Sequence, residues 1–265
     1  MWLAPLGFLV GAYGTLIGAG GGFVLMPVLL WLYPNDSPAT LTSISLAVVF
    51  FNAASGSLAY FRMKRIDFRS GWMFAIATVP GSILGAYSTS HIPRVTFNLI
   101  FGVWMVGAAI FLLLRPNKVR DVKTNANYMH CRIVDAKGNE HCYSFNPVLG
   151  VGISFIVGFV SSLLGIGGGI IHVPVLVHLL NFPVHIATAT SHFVLAIMAF
   201  TGTVTHIISG SFSHAVVRTL LLAAGVLPGA QVGARYSTRL NGEWIIRGLA
   251  IALLSVGVRI LLMSR

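Results

Sequence analysis

The chain has 265 residues, 56% of them hydrophobic and only 9% charged, against roughly 25% charged in a soluble domain. So much apolar surface exceeds what one water-facing core can hide, which makes a lipid bilayer the expected second solvent and argues against a soluble protein. The net charge of +11 does not point to nucleic acid, because Lys and Arg fall between apolar segments rather than along one stripe, the pattern that sets membrane topology.

A spanning helix needs ~20 apolar residues, and eight apolar segments follow one another along the chain. The first, about 3–32, has no charged leader and no short cleavage site, so it is expected to be retained rather than removed as a signal peptide. It is too long for one straight crossing and carries Gly18-Ala19-Gly20-Gly21-Gly22 and then Pro27 in its middle. Segments 40–61, 71–89 and 94–114 come next, with short connections. The stretch 115–146 is polar and charged and must lie outside the bilayer. Segment 147–180 is again overlong and carries Gly165-Ile166-Gly167-Gly168-Gly169 and then Pro174; 185–209, 215–234 and 244–263 complete the set. Continuous apolar runs predict helices; a membrane barrel would show short alternating strands.

The order of these features predicts an internal duplication. The two glycine clusters, the prolines after them, and Gly11 with Gly158 all recur at one common spacing. With one residue inserted, Ala39-Thr40-Leu41-Thr42-Ser43 matches Ala187-Thr188-Ala189-Thr190-Ser191. Pro80-Gly81 and Gly85-Ala86 likewise match Pro228-Gly229 and Gly233-Ala234. The expected fold is therefore an all-α integral membrane protein of two tandem four-segment repeats, 1–114 and 147–265, joined by a linker at 115–146.

The glycines have two readings. Small residues let membrane helices pack closely. Consecutive glycines also cost ~1 kcal/mol each relative to alanine in a helix, so each cluster is expected to unwind. Irregular backbone at membrane depth persists only where protein or a water-filled cavity covers it, and paired glycine-interrupted segments in two halves point to a transporter site. Half-helices starting after Gly22 and Gly169 would aim free N–H groups and a positive dipole end at that site, which suits an anion. Neither cluster is a nucleotide loop, because Phe23 and Ile170 follow where Lys then Ser or Thr would be needed.

The six acidic residues (Asp36, Asp67, Asp121, Asp135, Glu140 and Glu243) all lie in loops or at segment ends. A sodium or metal-cation carrier usually buries a carboxylate, so an anionic or neutral substrate is favoured. The substrate-binding candidates are Gly20, Gly21, Gly22, Gly167, Gly168 and Gly169 for backbone donors. Thr42, Ser43, Asn52, Thr190, Ser191, His192 and Gln231 are the side-chain candidates, with His206 behind them. Any single hydroxyl can instead bond its own helix; Thr42-Ser43 and Thr190-Ser191 stand out because both halves carry them. The second half is rich in histidine (His172, His178, His185, His192, His206, His214). Such residues commonly serve interhelical hydrogen bonds, but imidazole titrates near neutral pH, and His192 follows the repeated Thr-Ser pair, so it leads as a proton-linked or direct ligand.

Two topologies stay open: eight crossings with parallel halves, or re-entrant first and fifth segments with inverted halves. Both put Arg62, Lys64, Arg65, Arg69 and the linker on the cytoplasmic side, and the asymmetry of the later loops leans to inversion. In the linker, His130-Cys131 and His141-Cys142 flank Asp135-Ala136-Lys137-Gly138-Asn139, which predicts a β-hairpin turn. A disulfide is not expected in a reducing compartment, and adjacent His-Cys pairs lack the usual zinc spacing.

The two glycine clusters with Pro27 and Pro174, and the Pro-Gly-x-x-x-Gly-Ala elements at 80–86 and 228–234, make the chain resemble the TauE/SafE sulfite exporter family of membrane permeases over all but the linker. The resemblance implies export of sulfite, small organosulfonates or other small anions across the plasma membrane; no cofactor is expected. The linker with its His-Cys pairs departs from the family's minimal pattern. Expected partners are the bilayer and a small anionic substrate; proton coupling and a homodimer stay open. The competing classes are an anion channel, a membrane enzyme and a non-transporting assembly subunit, in which the glycines would serve packing alone.

Overall fold

The computed structural model describes residues 2–114, 128–212, 215–237 and 242–263; His214 and the linker residues 115–127 lie outside them. In chain order the elements are α1 (Leu3–Ile17), α2 (Gly22–Leu32), α3 (Pro38–Arg62), α4 (Phe68–Thr89), α5 (Arg94–Leu114), β1 (Met129–Val134), β2 (Glu140–Phe145), α6 (Pro147–Leu164), α7 (Gly169–His178), α8 (Val184–Ile208), α9 (Val216–Ser237) and α10 (Gly242–Met263). By length and composition α3, α6, α8 and α9 are each long and apolar enough to cross a membrane, while α1, α2 and α7 are shorter apolar helices. Side chains such as Ile76, Val103, Val217 and Ile208 stand exposed on the outer surface, as expected of helices that face lipid.

Local chemistry sets the helix ends. Ser37 accepts the Thr40 N–H before Pro38, Asp67 accepts the Ser70 N–H, and Asn146 accepts from Val148 and Leu149 before Pro147. These are cap residues with oxygen side chains, two of them followed by proline at the first helical position. Both overlong segments break at their glycines. Gly18, Gly20 and Gly21 hold φ of 86°, 76° and 78°, and Gly165 and Gly167 hold 66° and 69°, a backbone region open to glycine at no steric cost.

The chain reverses at each break. A Cβ added at Gly21 would lie 2.7 Å from Val10 Cγ1, and one at Gly168 would lie 3.2 Å from Val157 Cγ1. Each half-helix therefore starts beside the middle of the helix that precedes it.

Helix pairing exchanges the two halves. Gly81 and Gly85 of α4 lie on the backbone of Phe155 and Phe159 in α6, while Gly225, Gly229 and Gly233 of α9 lie on Ala4, Phe8 and Ala12 in α1. The Pro-Gly-x-x-x-Gly-Ala elements are thus sites of close helix approach, each gripping the first helix of the other half. In the direction of the chain α4 runs parallel to α6 and α9 parallel to α1. The central pair α3 and α8 runs antiparallel, because Gly56 faces His192 while Gly202 faces Leu46. With Ser55 bonded to Leu227 and Tyr60 near Ser237, α3 is also parallel to α9. Gly71 faces Phe193 and Ser82 donates to Met198 O, so α4 is parallel to α8, and α1 and α6, α3 and α8, and α4 and α9 therefore point in opposite directions.

The strands form an antiparallel pair with Cys131 opposite Tyr143 and Arg132 opposite Cys142. Asp135 Oδ1 accepts the Lys137 and Asn139 N–H groups, and Gly138 turns at φ 83°. This hairpin docks on the α3–α4 and α7–α8 connections. Ala136 N–H donates to Met63 O, Arg65 pairs with Asp135, and Tyr143 packs on Phe182.

Candidate functional site

The two glycine breaks meet. A Cβ at Gly22 would lie 2.5 Å from Ile166 O, and one at Gly169 would run into the backbone of Gly18 and Ala19. The N-terminal ends of α2 and α7 are therefore neighbours in the interior of the bundle. In the first turns, Val24 and Leu25 donate to Gly21 O, and Ile171 and His172 donate to Gly168 O. The N–H groups of the residues before them belong to the unpaired set that every helix start carries. All of 18–22 and 165–169 is buried. Val49 of α3 and Leu195 of α8 lie against Gly20 and again against Gly167. Together they cap the pair of breaks from the side of the central helices, within an apolar cluster that includes Ala53, Met198 and Ala199.

One turn along α3 from Val49 the lining becomes polar. Thr15, in the last turn of α1, donates its hydroxyl to Asn52 Oδ1 at 2.8 Å. His192 Nε2 lies 3.4 Å from the same Thr15 oxygen. Tyr60 donates to Thr15 O at 2.8 Å and meets the imidazole edge-on at 5.5 Å. Gly56 makes room for the ring, since a Cβ there would sit 2.6 Å from His192 Cδ2. Thr15, Asn52 and His192 are fully buried, and Asn52 Nδ2 and His192 Nδ1 have no hydrogen-bond partner. Unpaired buried donors and acceptors are costly, and each calls for a physical reason.

The other sequence candidates are scattered more widely. Thr42 packs on Gly165 with its hydroxyl unpartnered, and Ser191 is likewise buried with a free hydroxyl. Ser43 bonds back to Thr40 O. Thr190 accepts the Asp67 N–H beside the β-hairpin, away from the breaks. Gln231 donates to Ser55 O and Oγ between α9 and α3. His206 is buried with both ring nitrogens unpartnered.

Residue matching also differs from the sequence pattern. Gly18 lies on Thr188 where Gly165 lies on Thr42, and Gly56 faces His192 where Gly202 faces Leu46. In space Thr42 answers Thr188, not Thr190, and Ser45, which donates to Gly165 O, takes the place that Ser191 holds in the other half. The alternating Thr-x-Thr pattern on both sides allows either alignment; the turns between half-helix and central helix decide. Thr15, Ser45 and Tyr60 were missed. The signal for Thr15 was a hydroxyl three residues before each first glycine, Thr15 before Gly18 and Ser162 before Gly165.

Two cavities lie outside this centre. One, of about 600 Å³, sits between α4 and α8 at Tyr87, Phe200 and Thr205. The other, of about 340 Å³ and apolar, lies between α5, α6 and α7 and reaches Ile170 just after the second break.

At the hairpin face, Asp67 joins several elements. It accepts from Ser70 and, at 2.6 Å, from Tyr143 Oη. Burial and the Asp67 charge raise the Tyr143 phenol far above its usual range, and they push the Cys131 thiol up to about 11. Cys131 faces inward beside Ser70 while Cys142 is exposed; both are free thiols. No cluster of His, Cys, Asp or Glu suited to a metal occurs among the described residues.

The family model for the sulfite exporter TauE/SafE matches residues 3–260. A probable membrane transporter protein of Bacillus subtilis, YunE, is 33% identical, with 98% of this chain and 96% of that protein covered. A second from the same organism, YdhB, is 31% identical over 87% of each. One from Methanocaldococcus jannaschii is 23% identical over 90% of this chain and 86% of its own length. No solved structure matches. With its apolar helices, its paired breaks and this match along nearly its whole length, the chain belongs to the TauE/SafE sulfite exporter family of membrane transporters.

Proposed function

We propose that the protein carries a small anion, sulfite or an organosulfonate, across the plasma membrane by alternating access between two inverted halves. In this reading α1–α2 and α6–α7 are re-entrant hairpins, and the remaining helices of each half cross the bilayer. The β-hairpin lies on the cytoplasmic side, together with the basic residues Arg62, Lys64, Arg65 and Arg69.

One observation carries the reading: two half-helix N-termini, at Gly21–Gly22 and Gly168–Gly169, meet in the bundle interior, and among the described residues no carboxylate lies beside them. Amide donors and two positive dipole ends stabilise an anion without a fixed positive charge, so the same site can release it. Asn52 and the unpartnered hydroxyls of Thr42 and Ser191 supply side-chain contacts next to those ends. Val49 and Leu195 then act as the apolar plugs that must part for the anion to enter, and the described conformation is an occluded one.

The test is uptake of radiolabelled sulfite into proteoliposomes. Saturable uptake with counterflow is expected of a carrier, and a channel would show neither. Gly168→Leu should remove flux while the purified protein keeps its helical circular dichroism and monodisperse elution. Full flux in that variant would show that the site lies elsewhere.

A further inference from the structure

The Asn52–Thr15–His192 chain has more acceptors than protons, and the count links its two ends. Thr15 has one hydroxyl proton. Given to Asn52 Oδ1, as the 2.8 Å contact has it, that proton leaves the Thr15 oxygen as an acceptor, so His192 must donate from Nε2 across 3.4 Å. A neutral imidazole in that tautomer has a bare Nδ1. The backbone of Gly18 and Thr188 also faces the ring, and a carbonyl has a second lone pair with which to accept from it. The arrangement is complete only when a second proton sits on Nδ1. With His192 neutral and its proton on Nδ1, Nε2 becomes an acceptor. Thr15 must then donate to His192 and accept from Asn52, whose amide turns to put Nδ2 toward Thr15.

The two states differ in what Asn52 shows to the space beside the glycine breaks. When His192 is protonated, Nδ2 is free, the orientation in which it is buried without a partner. When His192 is neutral, the carbonyl oxygen is free instead. A free amide NH2 attracts an oxyanion and a free carbonyl repels it. Asn52 lies one turn from Val49 on the same face of α3, and Val49 touches Gly20, Gly22 and Gly167.

We propose that His192 is a proton site that acts through Thr15 to turn Asn52 toward the anion, so that one proton travels with each monoanion. The step makes and breaks no covalent bond other than N–H: a proton from water binds Nε2 on loading, as the Thr15 hydroxyl swings from His192 to Asn52, and returns to water on release. Thr15 is the positioning residue. The ring is faced by Tyr60 from α3 and by Thr15 from α1, with Arg65 beyond Tyr60; no charged side chain acts on it directly among the described residues. The matched place in the other half cannot do the same, because Leu46 stands at the position of His192. This inference rests on the transporter reading.

The experiment uses proteoliposomes with a pH dye trapped inside and radiolabelled methanesulfonate as the probe. That anion keeps one charge throughout the working pH range, so protons counted belong to the protein. Wild type should accumulate methanesulfonate up to about tenfold per unit of inward pH difference, the limit for one proton per anion, and acidify the lumen in step. His192→Gln and Thr15→Val should still exchange labelled for unlabelled anion at equal pH but lose gradient-driven accumulation, and Thr15→Ser should restore it. Saturable flux in wild type that ignores the pH gradient, or accumulation that survives His192→Gln, overturns the proton site alone. Absence of saturable flux for both methanesulfonate and sulfite overturns the transporter reading, and the proton site with it. A Thr15→Val variant that loses exchange and accumulation together, with normal folding, also counts against the relay, since Thr15 would then bind the anion rather than orient Asn52.

Discussion

At residues 30–37, where α2 ends and the chain turns into α3, three backbone carbonyls converge on the Arg94 guanidinium: Leu30 at 2.8 Å, Tyr33 at 3.1 Å and Asp36 at 2.6 Å. Arg218, from the other half, pairs with the Asp36 carboxylate and lies 3.8 Å over the Tyr33 ring. At residues 179–183, where α7 leaves the second break, the holding groups are aromatic. Phe182 is buried against Tyr143 at 4.4 Å and Phe145 at 5.1 Å, and Asn181 donates to Ser144 O. Two similar glycine breaks are thus fastened differently, one by half-exposed charge and the other by a docked hairpin. The difference teaches that the two faces respond to different conditions. Ionic strength weakens the first, while the second resists salt and fails when apolar volume is removed.

The largest effect is expected from Tyr143→Ala. The residue is only 4% exposed, and losing a buried aromatic ring costs about 3–5 kcal/mol. The thermal midpoint in detergent should fall sharply, and the hairpin should become open to protease. Tyr143→Phe keeps the ring and removes only the hydrogen bond to Asp67, a loss of about 1–3 kcal/mol. Equal losses in the two variants would show that the hydrogen bond, not the aromatic packing, fastens this face.

The charged exit should respond less. Arg94→Ala strips donors from three carbonyls that water can partly reach, for a loss of about 1–2 kcal/mol. Arg218→Ala breaks a pair whose side chains are 33% and 28% exposed, for about 0–1 kcal/mol in low salt and less at high salt. Thermal midpoints at low and high salt check both. A salt-independent loss in Arg218→Ala would mean that its stacking on Tyr33, rather than its charge, holds the exit.

Much of this comparison was legible in the sequence. Glycine runs disfavour helix wherever they occur, so Gly18–Gly22 and Gly165–Gly169 gave away both breaks. Asp135 and Gly138 gave away the hairpin turn for the same local reason. What each segment touches is not local. Gly81 and Gly85 read as small residues suited to packing, but nothing near them names α6 as their partner. Thr15 gains importance only once α3 and α8 from different halves bring Asn52 and His192 to it. Asp67 looks like an ordinary loop acid and helix cap; its burial at 7% exposure follows from a hairpin docking from far along the chain. The match of Thr42 to Thr190 failed because a two-residue alternation fixes no register by itself.

The smallest effect, and the most local, concerns the hairpin turn under acid. Burial pushes the Asp135 carboxyl up, but hydrogen bonds from Asn139 and Lys137 and the Arg65 charge outweigh it and leave its pKa at about 2. A depressed folded-state pKa means that the ionised form is the one the fold favours. Its contribution is fully present above the ordinary value of 3.8 and is lost as pH falls through about 2. Hydrogen exchange at the Lys137 and Asn139 amides, corrected for the intrinsic pH dependence, should therefore show constant protection from neutral pH to about 4 and a decline below it. Asp135→Asn should flatten that decline. The aromatic contacts of Tyr143 and Phe182 carry no charge in this range, so protection in β2 should outlast that of the turn. If both collapse together, the turn and the aromatic seal form one cooperative unit, and Asp135 sets the acid limit of the whole face.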